Sequence, residues 1–118
     1  MKILHLSDTH GCHHRLYNLP EAGILVHSGE FTMAGSENEA LDFLNWFCDL
    51  PYPHKIFICG NHDECLYGTN INGLDNNVHY LCNSGIEIEG LKLAIVNFCV
   101  VKCWISYSFP YFYMHKGL

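Results

Sequence analysis

Short apolar runs, each closed by a polar cluster, set the rhythm of this chain. Ile3, Leu4 and Leu6 predict a strand from Lys2 to Leu6, followed by a polar loop through Asp8, His10 and Gly11. His14 to Leu19 predicts a short helix ended by Pro20. Ile24, Leu25, Val26 and His27 form an unbroken apolar run, the mark of a strand covered on both faces, with Glu30 in the loop beyond it. Ser36 to Asp49 has helical periodicity. Ser36 and Glu39 form a capping box, and Ala40, Leu41, Leu44, Phe47 and Cys48 make an apolar stripe that Phe43 and Trp46 widen. Pro51 and Pro53 stop it, and Lys55 to Cys59 reads as a third strand that ends at Gly60-Asn61-His62-Asp63.

Further on, Val78 to Leu81 is a strand candidate. Ile86 to Ile88 and Leu91 to Leu93 flank Glu89-Gly90 as a hairpin. Strand, loop, strand, helix, strand is the order of βαβ units, so the fold class is α/β with a largely parallel inner sheet. The segment from Leu91 to Leu118 changes character, being rich in aromatics and cysteine. A strand pair, an unstructured apolar tail and a membrane span all fit it, although Asn97, Lys102 and Pro110 interrupt the last of these. Domain organisation is therefore read as residues 1–90 and a divergent tail, residues 91–118.

Composition narrows the choices. A chain of 118 residues is one domain at most. Its formal charge of −6 argues against nucleic acid or an anionic membrane surface as partner. A bound cation can still reverse the local charge and admit a phosphate. Seven cysteines without a secretory pattern point to free thiols and a cytoplasmic setting.

Three strand ends deliver polar residues: Asp8 with His10, Glu30, and Asn61 with His62. Ligands gather at the carboxyl ends of parallel strands, so these residues are expected to converge. Carboxylate, imidazole and amide oxygen together suit divalent ions such as Mn²⁺, Fe²⁺ or Zn²⁺. Each has a bland alternative. Asp8 and Asn61 are also ordinary turn residues. His27 and His5 read as structural, His13 and His14 as surface residues, and Trp46 and Phe47 as core. Phe31 and Thr32 are expected to support their loop. Cys59, His62 and Cys65 have a zinc-like spacing, as do Cys99 and Cys103, but no paired knuckles occur and Cys59 should point into the core.

In order and strand context, SDTHG, HSGEFT and GNHDE resemble the first three motifs of the calcineurin-like metallophosphoesterases, and in particular the small metallophosphoesterase-domain proteins that hydrolyse phosphodiesters. The resemblance implies a partial metallophosphoesterase fold, the N-terminal half of a four-layer α/β/β/α sandwich. It implies Asp8, His10, Glu30 and Asn61 as metal ligands and His62 as the catalytic residue that protonates the leaving oxygen, with Asp63 helping to hold its charge. Glu30 stands where the family has a bridging aspartate, and one extra methylene moves the carboxylate by about 1.5 Å. The family's later histidine motifs have no counterpart, so the resemblance reads as truncated after the third motif, and the tail composition fits a frame change or alternative exon.

The resulting expectation is a metal-dependent phosphoesterase, impaired by truncation and by Glu30, acting on a phosphate-ester small molecule or a phosphoprotein. The alternative is a catalytically inactive fragment with a binding or regulatory role. Half a sandwich should also leave an apolar sheet face bare, open to a protein partner.

Overall fold

The computed structural model describes residues 2–66, 68–82, 84–95, 101–105 and 111–116. Its strands are β1 (Lys2–Ser7), β2 (Ile24–His27), β3 (His54–Phe57), β4 (Val78–Tyr80), β5 (Gly85–Ile88), β6 (Leu91–Ile95), β7 (Val101–Ile105) and β8 (Tyr111–Lys116); the helix α1 (Glu37–Asp49) lies between β2 and β3. Strands β4, β3, β2, β1 and β8 form one sheet in that order, and all its pairings are parallel. Strands β5, β6 and β7 form a second, antiparallel sheet. The α/β class and the parallel inner sheet are those expected from the alternation of elements.

Side-chain period explains how the layers stack. Leu4, Leu6, Leu25 and Phe57 lie on one face of the parallel sheet and pack with Ala40, Phe43 and Phe47 of α1. Ile3, Ile24, Val26 and Ile56 lie on the other and pack with Ile88, Leu91 and Leu93 of the β5–β6 hairpin. Among the described side chains both faces are thus covered, and the bare apolar face expected for half a sandwich is replaced there by a sheet-on-sheet contact. Glu89 and Gly90, both at positive φ, make the tight turn that lets this hairpin fold over.

The helix starts where its sequence says it should. Ser36 accepts from the Glu39 N–H and the Glu39 carboxylate reaches back to the Ser36 N–H, completing the capping box. Its last turn has no basic residue, and the buried Lys55 of β3 supplies one, donating to the carbonyls of Cys48 and Leu50. Two local expectations are corrected. The helix expected at His14 to Leu19 is only a 3₁₀ turn, His13–Arg15, because so few residues cannot offset the cost of nucleation and Leu16 is already extended. The helix stripe is centred on Phe43, and Leu41 is largely exposed.

Residues 101–105 and 111–116 of the tail are strands, joined to β6 and β1 respectively. Cys99, Asn97 and Pro110 fall outside the described residues. Among those described, no helix is long and apolar enough to cross a membrane. Cys12, Cys48, Cys59, Cys65 and Cys82 are free thiols.

Phe43 stacks on Phe31 at 4.1 Å between ring centres and is fully buried, whereas Leu41 faces water. Phe43→Ala is expected to lose about 3–5 kcal/mol in a urea unfolding experiment. Leu41→Ala should stay within about 0.5 kcal/mol of the parent, the reverse of what the sequence stripe alone suggests.

Candidate metal centre

Strands β1, β2 and β3 end side by side, and their pairing runs on into the loops. The N–H groups of Asp8, His10 and Gly11 donate to the carbonyls of Gly29, Glu30 and Phe31 at 3.0, 2.9 and 2.8 Å. The first loop is therefore zipped to the second. Glycine at 29 is what allows the second to meet the third: a Cβ there would lie 2.6 Å from the Gly60 nitrogen.

Asp63 locks that contact. Its side chain is wholly buried and accepts from the N–H groups of Glu30 (2.8 Å), Phe31 (3.3 Å), Thr32 (2.9 Å) and Gly60 (2.8 Å), and from the Thr32 hydroxyl (2.8 Å). Asp63 was expected to steady a charge on His62. Instead both its oxygens turn inward to the backbone, and its effect on the His62 ring is secondary. Thr32 and Phe31, buried with it, support the loop as expected.

With the loops fixed, the side chains converge. One ligand atom each from His10, Glu30 and His62 lie within 4.8 Å of one another. Asp8 Oδ1 is 3.9 Å from His10 Nε2, and Glu30 Oε2 is 3.8 Å from His62 Nε2. The two rings are positioned alike. His10 Nδ1 donates to the Thr32 carbonyl at 3.1 Å and His62 Nδ1 to the Met33 carbonyl at 2.9 Å, which leaves both Nε2 atoms for the centre. An imidazole anchored through one nitrogen to a backbone carbonyl is the usual posture of a metal-ligating histidine. The donor set thus fits a divalent cation. Asn61 is exposed in the turn between Gly60 and His62, beside the cluster in sequence.

Three residues of the centre have left-handed backbone. Asp8, His10 and Glu30 have φ values of 56, 43 and 61°. Non-glycine residues avoid this region, and each such residue costs of order 1–3 kcal/mol unless its surroundings hold it there. Here the inter-loop hydrogen bonds do so.

Two environments deserve separating. His62 is about half exposed; its bond to the Met33 carbonyl, and next the charge of Glu30, raise its pKa above the ordinary histidine value. His27 is the opposite case. It is fully buried, and burial drives its pKa down to about 3. Its Nδ1 accepts from the Gly29 N–H at 3.2 Å, so the ring proton sits on Nε2 and is shared with the Thr9 hydroxyl at 3.0 Å. His27 is thus structural, as expected, and it braces both Thr9 and Gly29 beneath the centre.

The cysteine alternative finds no support among the described residues. His62 faces His10 and Glu30, Cys59 Sγ lies 3.2 Å from the Tyr80 hydroxyl, and Cys65 Sγ donates to the Ser36 carbonyl. Burial pushes the Cys59 thiol up to about 12. The backbone clamp at Asp63 was the role the sequence reading missed; the only hint is an acidic residue directly after a strand-end cluster. His13 was expected at the surface and is buried instead, wedged against Phe43 and Trp46 of α1.

A parallel sheet whose carboxyl edge gathers imidazole and carboxylate donors defines a class, the α/β proteins with a candidate cation site at the sheet edge. Within that class, the family model of the calcineurin-like phosphoesterases matches residues 1–118, and the chain belongs to that family. It is 33% identical over 111 residues to a UPF0046 protein of Caenorhabditis elegans, covering 79% of this chain and 40% of the relative. A second UPF0046 protein of the same organism is 27% identical over 107 residues, covering 77% of this chain and 37% of the relative. Metallophosphoesterase domain-containing protein 1 of Homo sapiens is 40% identical over 58 residues, which is 49% of this chain and 18% of the relative. The chain thus spans about two fifths of the length of these two UPF0046 relatives.

His27 carries a pH dependence whose sign is fixed. Its folded pKa is about 3 against an unfolded value near 6.5, so between these values the unfolded chain binds the extra proton. Its stabilising effect is complete above about pH 6.5 and is lost as the pH falls toward 3, with a slope of at most about 1.4 kcal/mol per pH unit. Urea midpoints measured across that window should show this slope reduced in His27→Gln; an unchanged slope would mean that His27 titrates normally.

Proposed function

We propose that this chain carries the catalytic edge of a metal-dependent phosphoesterase, and that Glu30 weakens it. The observation behind this reading is the shared posture of His10 and His62, each tied by Nδ1 to a neighbouring carbonyl, with His10 Nε2 3.9 Å from Asp8 and His62 Nε2 3.8 Å from Glu30. Asp8, His10, Glu30 and Asn61 are the proposed ligands, and Mn²⁺, Fe²⁺ or Zn²⁺ the ions whose preferences match them. A bound divalent ion would supply water activation at neutral pH and polarise a phosphoryl oxygen.

The rest falls to the chain's own residues. His62 keeps its proton to higher pH than an ordinary histidine, which suits a donor to the leaving oxygen of a phosphate ester. Nε2 cannot hold that proton and an ion together, so His62 acts as donor only while the other residues carry the ion. Glu30 has a longer arm than the family's aspartate, and it folds back. Its Oε1 accepts from the His62 backbone N–H at 3.3 Å, so this oxygen is engaged by the protein's own loop. Misplacing a reacting or bridging group by about 1 Å can cost ~100-fold in rate. This supports a weakened site and keeps the second reading in view, a fragment that binds metal or a partner without turnover.

Mn²⁺-dependent hydrolysis of bis-p-nitrophenyl phosphate tests both. The expected result is slow turnover by the parent chain and a gain of roughly 10- to 100-fold in Glu30→Asp. His62→Ala in that background should lose about 100-fold or more in kcat with Mn²⁺ affinity retained. No turnover in parent and Glu30→Asp alike would leave the inactive reading; loss of Mn²⁺ affinity in His62→Ala would make His62 a ligand and not the acid.

A further inference from the structure

A second cluster lies outside this centre, where the 3₁₀ turn His13–Arg15 meets α1. His13 Nε2 is 2.9 Å from Asp42 Oδ2, and His14 Nε2 is 3.0 Å from both Asp42 oxygens. One ligand atom from each of the three residues lies within 4.8 Å of the others. We infer that His13, His14 and Asp42 form a second transition-metal site, open on its water side and suited to Zn²⁺.

Three features carry this. The first is chemistry: two imidazoles and one carboxylate make the three-ligand set of an open zinc site, with a fourth position left for water. Two ligands held about 2.0–2.1 Å from a common ion lie up to roughly 4 Å apart, so the observed separations need only a small adjustment. The second is charge. The Asp42 carboxylate lies within hydrogen-bond reach of the Nε2 atoms of both rings, so it already marks where positive charge is favoured. An ion at His13 Nε2 displaces the ring proton to Nδ1, so the imidazole stays neutral.

The third feature is preorganisation. His13 is held edge-on to Phe43 at 5.7 Å and tilted against Trp46 at 5.1 Å, and its ring centre is 4.3 Å from that of His14. Packing adds to the Asp42 hydrogen bond in fixing the ring. His14 and Asp42 are both more than half exposed, which gives an ion a way in. The residues are not those of the centre at the sheet edge, so the inference stands whether or not the chain hydrolyses phosphate esters.

Equilibrium dialysis of the full chain against Zn²⁺ tests it. In a His10→Ala/Glu30→Gln background, which disables the sheet-edge centre, one Zn²⁺ per chain should remain bound. Adding Asp42→Asn or His14→Ala should weaken it roughly tenfold or more. Asp42→Asn alone should leave any Mn²⁺-dependent hydrolysis unchanged. Histidine ¹⁵N spectra of the unaltered chain give a readout independent of those variants: Zn²⁺ should shift the Nε2 signals of His13 and His14, and Asp42→Asn should abolish the shift. If no Zn²⁺ remains in the background variant and these signals do not move, the trio is only an ion pair pinning the turn to α1, and the inference is overturned. Bound Zn²⁺ that ignores both Asp42→Asn and His14→Ala overturns it equally.

Discussion

One buried carboxylate organises this molecule's working edge. Asp63 brings no side chain of its own to the centre, yet its oxygens gather N–H groups from both the loop after β2 and the loop after β3. A charge wholly removed from water is costly unless its lone pairs are filled, and here four backbone donors and one hydroxyl fill them. The same bonds fix where Glu30 and His62 stand. Removing the carboxylate would leave these buried donors unsatisfied and free the two loops from each other.

Strain is the counterpart of that order. The backbone at Asp8, His10 and Glu30 is left-handed, a conformation these residues would leave if the loops were untied. The parallel sheet offers the rigid base, β1 and β3 flanking β2, and the inter-loop bonds extend it past the strand ends. His27 seals the underside as a neutral ring bonded to Thr9 and Gly29. The Glu30 carboxylate occupies the space beside Gly60 that a Cβ there would take. What requires glycine at 60 is the close approach of loop to loop, since a Cβ there would lie 2.5 Å from the Glu30 nitrogen.

The strands, the helix and its capping box were legible because each has a local signature, such as the run Ile24 to His27 or the Ser36–Glu39 pair. The convergence of His10, Glu30 and His62, with Asp8 beside His10, was legible too, because parallel strands leave their carboxyl ends together and the three motifs mark those ends; Asn61, expected with them, is beside the cluster in sequence only. What escaped was non-local. Nothing in the sequence near Asp63 says that its oxygens meet Thr32, thirty-one residues earlier. Leu41 and Phe43 fit a helical stripe equally well, and only the position of the sheet decides which is buried. His13 looks like a surface residue until Phe43 and Trp46 close over it. The filled sheet face depends on the β5–β6 hairpin turning back onto Ile3, Ile24 and Val26, which no local pattern specifies.

The central claim is that three loops, held by Asp63, present a single cation site. Amide NMR during a Mn²⁺ titration addresses it directly, because a paramagnetic ion broadens the signals nearest to it. The result expected is joint broadening of Asp8 to Gly11, Gly29 to Phe31 and Asn61 to His62 at the same substoichiometric Mn²⁺. Broadening confined to one of these loops, or scattered over exposed carboxylates elsewhere, would contradict it.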